Sequence, residues 1–261
     1  VYSETLISFA ESIIATVHGR DRITHVIEAI VDPAAGKGLD VKPRKLLFDL
    51  SDAILGKISF AEAALCDEIH MCDTHVLEFR EYGKLLIVAN KMSPDAFVQM
   101  SILLAYYRVY GRVDCMYEPA LTKQFYHGRT EAIRGATPQA KEFCQVWLDN
   151  SASAQQKVEA LKIATKEHSR LTNEASSGHG VDRHLFALKC IASRNCLPTP
   201  SFFESEAWKT LNHTVISTSN CGNPALRLFG FGPVVPNGYG IGYIIKYYGV
   251  SYSVCSKHRQ T

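Results

Sequence analysis

The absences in this sequence narrow its role first. It has no strong charge of either sign: 28 Lys and Arg against 26 Asp and Glu leave a net charge of +2. That is too mild for a nucleic-acid surface or an anionic membrane. No apolar run approaches the ~18–20 residues of a membrane span. The longest candidate, residues 102–107, reads as buried helix. The eight cysteines include no Cys-x-x-Cys and have no paired histidines beside them. Buried free thiols in a reducing compartment are therefore expected, rather than a zinc site or a disulfide framework, and no metal is assigned. The chain opens on Val1 without a signal-peptide pattern and stops on Ser256-Lys257-His258-Arg259-Gln260-Thr261. Both ends read as cut, and a fragment is expected.

The residues that are present suit a globular core, with 46% hydrophobic and 21% charged residues. An amphipathic stretch runs over 23–31, and Pro33, Gly36 and Gly38 mark a loop over 32–38. Apolar spacing near 3.6 (Ala64, Ile69, Val76, Phe79) predicts a helix over 60–79. Ser93 as cap, Pro94 in the first helical position and Asp95 at the positive end predict the next helix start. Further helices fit 154–174 and 181–193. After Pro198 and Pro200 the pattern turns β-rich, with strands expected at 215–216, 227–235, 241–246 and 250–255, the last two as a hairpin. Helices first and strands later predict an α/β fold: a mixed β-sheet flanked by helices. Two pieces are expected, a remnant over 1–38 and a main domain over 39–261.

Gly230, Gly232, Gly238, Gly240 and Gly242 imitate a dinucleotide-binding run, but strand patterns flank them and no helix follows. Nucleotide binding of that type is not expected. Glycines inside strands mark bulges or close backbone approach instead.

Three ordered motifs carry a resemblance. The first is Ser93-Pro94-Asp95-Ala96-Phe97 with the run ending at Arg108. The second is Tyr117-Glu118, His127-Gly128-Arg129-Thr130-Glu131 and Ile133-Arg134. The third is Ser217-Thr218-Ser219, Phe231-Gly232-Pro233-Val234-Val235 and Gly238-Tyr239-Gly240. Asp182-Arg183-His184 lies between the last two. In order and approximate spacing the set resembles the choline/carnitine acyltransferase family over roughly residues 23–261.

The resemblance implies half of a two-domain, CoA-dependent enzyme of fatty acid metabolism that moves a short acyl group between coenzyme A and carnitine. It implies acyl-CoA and carnitine as substrates and no bound cofactor. A monomer is expected, without nucleic acid or membrane partner, in mitochondria or peroxisomes, with the cytosol as the alternative. Ser219 then matches the hydroxyl that steadies negative charge at the thioester carbonyl. Tyr117, Thr130 and Arg183 match positions around the carnitine carboxylate, where two hydroxyls and a guanidinium can satisfy a buried anion. Arg183 could instead form a surface pair with Asp182. Ser217, Phe231 and Val234 would complete the carnitine pocket, Phe231 by packing on the trimethylammonium group. Lys84, Lys91, Asp95 and Asn220 match coenzyme A contacts, and Phe229 would close the acyl pocket.

The sequence also departs from the family pattern. Counting back from His25-Val26-Ile27-Glu28 to the place of the family's general-base motif lands on Glu11, and His18 lacks the motif. No catalytic histidine is assigned. Asn220 stands for a glutamine, Pro119 for a serine, Val88 for a lysine and Ser169 for an arginine. The remaining histidines, His168 among them, read as structural. Two rival readings follow: an inactive fragment that only binds coenzyme A or carnitine, and a choline acetyltransferase, against which Arg183 argues.

Overall fold

The computed structural model describes residues 45–223 and 225–258. The stretches at 23–31 and 32–38, the positions of Glu11 and His18, and the division expected at 38/39 lie outside the described residues. The chain divides into two compact units, one of residues 1–70 with 223–227, the other of residues 71–222 with 228–261. In the first, helix α1 (Asp52–Met71) has Asp52 in its first turn and His70 in its last, as the helix dipole favours, and none of its residues is buried.

The second unit is built on a six-stranded mixed sheet. Its strands are β1 (Cys72–Phe79), β2 (Met116–Leu121), β3 (Thr130–Ile133), β4 (Ile216–Asn220), β5 (Tyr239–Ile245) and β6 (Val250–Lys257), in the spatial order β1-β6-β5-β4-β2-β3. β2, β4 and β5 run parallel, while β1, β3 and β6 pair antiparallel with their neighbours. The helices are α2 (Lys84–Ala89), α3 (Pro94–Tyr110), α4 (Pro138–Leu148), α5 (Ala154–Ser176), α6 (Asp182–Arg194) and α7 (Glu206–Asn212). The expected α/β class, with its mixed sheet and flanking helices, is what forms. Among the described residues no helix is long and apolar enough to cross a membrane.

Helix α3 organises the core. The Ser93 side chain accepts the Ala96 N–H, Pro94 occupies the first turn, and Gly111 ends the helix at φ 67°. Val98, Met100, Ile102, Leu103 and Tyr106 of α3 pack against Met116, Ile216, Tyr239, Ile241, Tyr243 and Val250 of the sheet, with Phe143 of α4 and Leu161 of α5 beside them. Burying each of these large side chains contributes about 1.5–3 kcal/mol.

Two sequence expectations need correction. The helix predicted over 60–79 ends at Met71, and Val76 and Phe79 belong to β1, which pairs along its length with β6. A local period near 3.6 lost to a long-range ladder. The strand predicted at 227–235 does not form, because that segment lies as cover over β5. A Cβ at Gly242 would overlap the Phe229 carbonyl, and one at Gly240 the Phe231 carbonyl. The glycine run thus marks close backbone approach, as expected. The 241–246 and 250–255 hairpin forms as β5 and β6. No disulfide joins the eight cysteines, but only Cys144 and Cys255 are buried.

Candidate functional site

Strand alternation sorts the sheet residues onto two faces. Tyr117 lies opposite Ser217, Ser217 opposite Gly240, and Ser219 opposite Gly242. Thr130 pairs with Leu121, which has the phase of Tyr117 along β2. Tyr117, Thr130, Ser217 and Ser219 therefore share one face, away from α3. Ser217 is buried; Tyr117, Thr130 and Ser219 are half-buried. Three adjacent hydroxyl-bearing strands, β3, β2 and β4, offer a row of donors with little side-chain entropy to lose.

Arginines border this face. The Arg183 Nε donates to the Thr130 carbonyl at 2.6 Å. Its backbone N–H, in the first turn of α6, meets the buried Glu131 carboxylate at 3.3 Å, a charge-assisted cap that fixes where the guanidinium begins. The alternative pairing of Arg183 with Asp182 does not form. Asp182 is taken by Arg134 through two contacts, Nη2 to Oδ1 at 2.5 Å and Nε to Oδ2 at 3.2 Å. The Arg134 guanidinium also lies 5.9 Å from the Tyr117 ring centroid. Burial pushes the Tyr117 hydroxyl above its ordinary range, against the pull of Arg183 and Arg134. Sequence reasoning missed the parts of Arg134 and Glu131, although both lie within the second motif.

The Phe229 and Phe231 rings lie 5.9 Å apart between centroids and tilted by 43°, in the segment that covers Gly240 and Gly242. Phe231 is half-buried, whereas Val234 is exposed. On the α3 side, at the end of β4, Asn220 Nδ2 donates to the Asp95 carboxylate at 3.2 Å, so the sheet and the α3 N-terminus bring these two together. Lys84 and Lys91 bracket α2 and are exposed. Lys84 Nζ lies 5.9 Å from the Tyr247 ring centroid.

Asp95, Glu118 and His168 each bring one donor atom within 4.8 Å of one another. His168, read from the sequence as structural, is 2% exposed, and its Nε2 lies 2.8 Å from Glu118 Oε2. These are hydrogen bonds between protein groups, and Asp95 already accepts from Tyr243 at 2.7 Å and from Asn220. No sequence signal pairs residues fifty positions apart.

The hydroxyl-bearing strands, Arg183 and the Phe231 segment bring residues of the second and third motifs and of Asp182-Arg183-His184 to one side of the sheet, with α3, the first motif, on the other. The sequence pattern of the family described as Choline/Carnitine o-acyltransferase matches residues 5–261. The chain belongs to that family. It is 41% identical, over 268 residues, to a Saccharomyces cerevisiae protein provisionally named mitochondrial carnitine O-acetyltransferase, covering 100% of this chain and 39% of the relative. It is 37% identical over 201 residues to human carnitine O-acetyltransferase (77% of this chain, 32% of the relative). It is also 37% identical over 202 residues to the mitochondrial carnitine O-palmitoyltransferase 2 of Xenopus tropicalis (77% of this chain, 31% of the relative). The chain thus spans between about a third and two fifths of the length of these curated relatives.

Proposed function

We propose that this chain supplies the carnitine and coenzyme A contacts of an enzyme that transfers an acetyl or other short acyl group between the two. The observation that carries this reading is the shared face of Tyr117, Thr130, Ser217 and Ser219, with Arg183 anchored on the Thr130 carbonyl. A carboxylate placed there meets two hydroxyls and a guanidinium that no carboxylate pairs among the described residues. Ser219, further along β4, is the donor for the oxyanion that develops at the thioester carbon, and Phe231 with Val234 takes the trimethylammonium end. Asp95 and Asn220 hold the pantetheine arm, while Lys84 and Lys91 act as point charges for phosphate.

Coenzyme A acts as a substrate here, and no bound cofactor is assigned. The protein works as a monomer in mitochondria or peroxisomes, settings that several relatives' names carry. Identity alone does not separate acetyl from palmitoyl relatives, so the short-acyl reading rests on Phe229. No histidine of this sequence is assigned as general base. The 261 residues alone are therefore expected to give no turnover, since a positioned base contributes about 10²–10⁴ in rate.

The test is thiol release from acetyl-CoA with carnitine, using the protein that carries this sequence and its Ser219→Ala variant. The expected result is a kcat reduced by roughly 10²–10³ with the carnitine KM little changed. An unchanged kcat would remove Ser219 from the chemistry.

A further inference from the structure

The other face of the sheet holds a largely buried polar network in which the proposed function gives a role to Asp95 and Asn220 alone. His168 of α5 meets Glu118 of β2 at 2.8 Å, and both are buried. Asp95, at the start of α3, completes the cluster within 4.8 Å and accepts from Tyr243 and Asn220. Gln99 Nε2 donates to the Tyr243 hydroxyl at 2.8 Å and to Thr218 Oγ1 at 3.0 Å. Thr218 in turn donates to the Tyr117 carbonyl at 2.9 Å. The network therefore starts and ends on neighbouring residues of β2, Glu118 and Tyr117, and runs through Asp95, Tyr243, Gln99 and Thr218, with Asn220 as a branch on Asp95.

Two carboxyl groups this close in a low-dielectric interior cannot both carry charge without strong repulsion. Asp95 takes two donated hydrogen bonds, which suits it as the acceptor. Glu118, deeper and facing His168, is then the group that carries or releases the proton. The charged and titratable groups facing Glu118 are His168 from α5, Asp95 from α3 and Tyr243 from β5.

We propose that Glu118 is a positioning residue for coenzyme A: as the neutral acid it leaves Asp95 seated against Tyr243 and Asn220, and as the anion it displaces Asp95 from them. The proposal rests on the reading of Asp95 and Asn220 as coenzyme A contacts. Burial, with Asp95 acting in the same direction and His168 opposing, pushes the Glu118 carboxyl up to about 7. The switch thus falls where a binding experiment can cross it.

The experiment is calorimetric titration of the chain with 3′-dephospho-CoA, which lacks the phosphate monoester that would itself titrate, from pH 6 to 8.5. Wild type is expected to bind about tenfold more weakly at the upper end, as a one-unit difference in the Glu118 pKa between free and bound forms requires. Glu118→Gln, fixed in the neutral form, is expected to give a flat profile. His168→Phe removes the partner that holds the Glu118 pKa down, so its profile is expected to shift to higher pH. Thermal melts establish that each variant is folded, and the His168→Phe shift stands as the test should the glutamine variant fail to fold. Parallel profiles in wild type and Glu118→Gln, with binding intact, would overturn the positioning role and leave the coenzyme A site standing. No binding by wild type at any pH would overturn the coenzyme A reading itself, and the proposal with it.

Discussion

The Arg183 Nε rests 2.6 Å from the Thr130 carbonyl, while the Arg183 backbone N–H is held by the Glu131 carboxylate next along β3. The backbone and the side chain of one residue are thus held by consecutive residues of a strand. A long, flexible cation becomes a positioned one, with less entropy to lose when it meets an anion.

Replacing Arg183 by Asn is expected to weaken carnitine far more than choline, because only carnitine has a carboxylate. The loss for carnitine should be on the order of 2–5 kcal/mol. Kinetics with both alcohols measure it, and equal losses would assign Arg183 to structure alone.

Glu131 is 5% exposed and serves the α6 terminus, so its truncation leaves the part-buried Arg183 N–H without its partner. Glu131→Ala is expected to reduce stability by about 1–3 kcal/mol, read from urea unfolding. A variant as stable as wild type would show that solvent replaces the cap.

Glu118 predicts the sign of a pH effect on stability. Its ordinary value is 4.5, and burial first, with Asp95 adding, raises it to about 7 in the folded chain. The folded state then binds this proton more tightly than the unfolded state. Its contribution is full below about 4.5 and is lost as pH rises through about 7. Glu118→Gln should not show that decline, so the stability difference between variant and wild type should change by on the order of 1–3 kcal/mol across the window. Parallel stability curves would contradict it.

Local features were the legible ones. Ser93, Pro94 and Asp95 announce α3 because caps and proline act within one turn. The β5–β6 hairpin shows in its alternation and its Gly249 turn. β1 was hidden because its partner β6 lies far along the chain, and β2 and β3 are too short for a period to register. The hydroxyl and arginine positions were readable through the ordered motifs. The supports behind them, Glu131, Arg134 and the Glu118–His168 pair, depend on contacts that only folding creates.

Phe229 predicts acyl length. Its ring lies tilted against that of Phe231, in a segment whose backbone covers the glycines of β5, and a phenyl group in the acyl pocket would exclude longer chains. Overfilling a packed site costs about 1–3 kcal/mol. Phe229→Gly is expected to raise octanoyl transfer while leaving acetyl transfer largely intact, in a series of acyl-CoA donors. A wild-type preference for octanoyl-CoA would place Phe229 outside the acyl pocket.

The most direct measurement is the affinity of the chain for L-carnitine and for choline, compared by calorimetric titration in wild type and Arg183→Asn. Carnitine should bind the wild type more tightly than choline, and that margin should collapse in Arg183→Asn. Equal affinities in the wild type, or a margin that survives the substitution, would contradict the assignment of this face to the carnitine carboxylate.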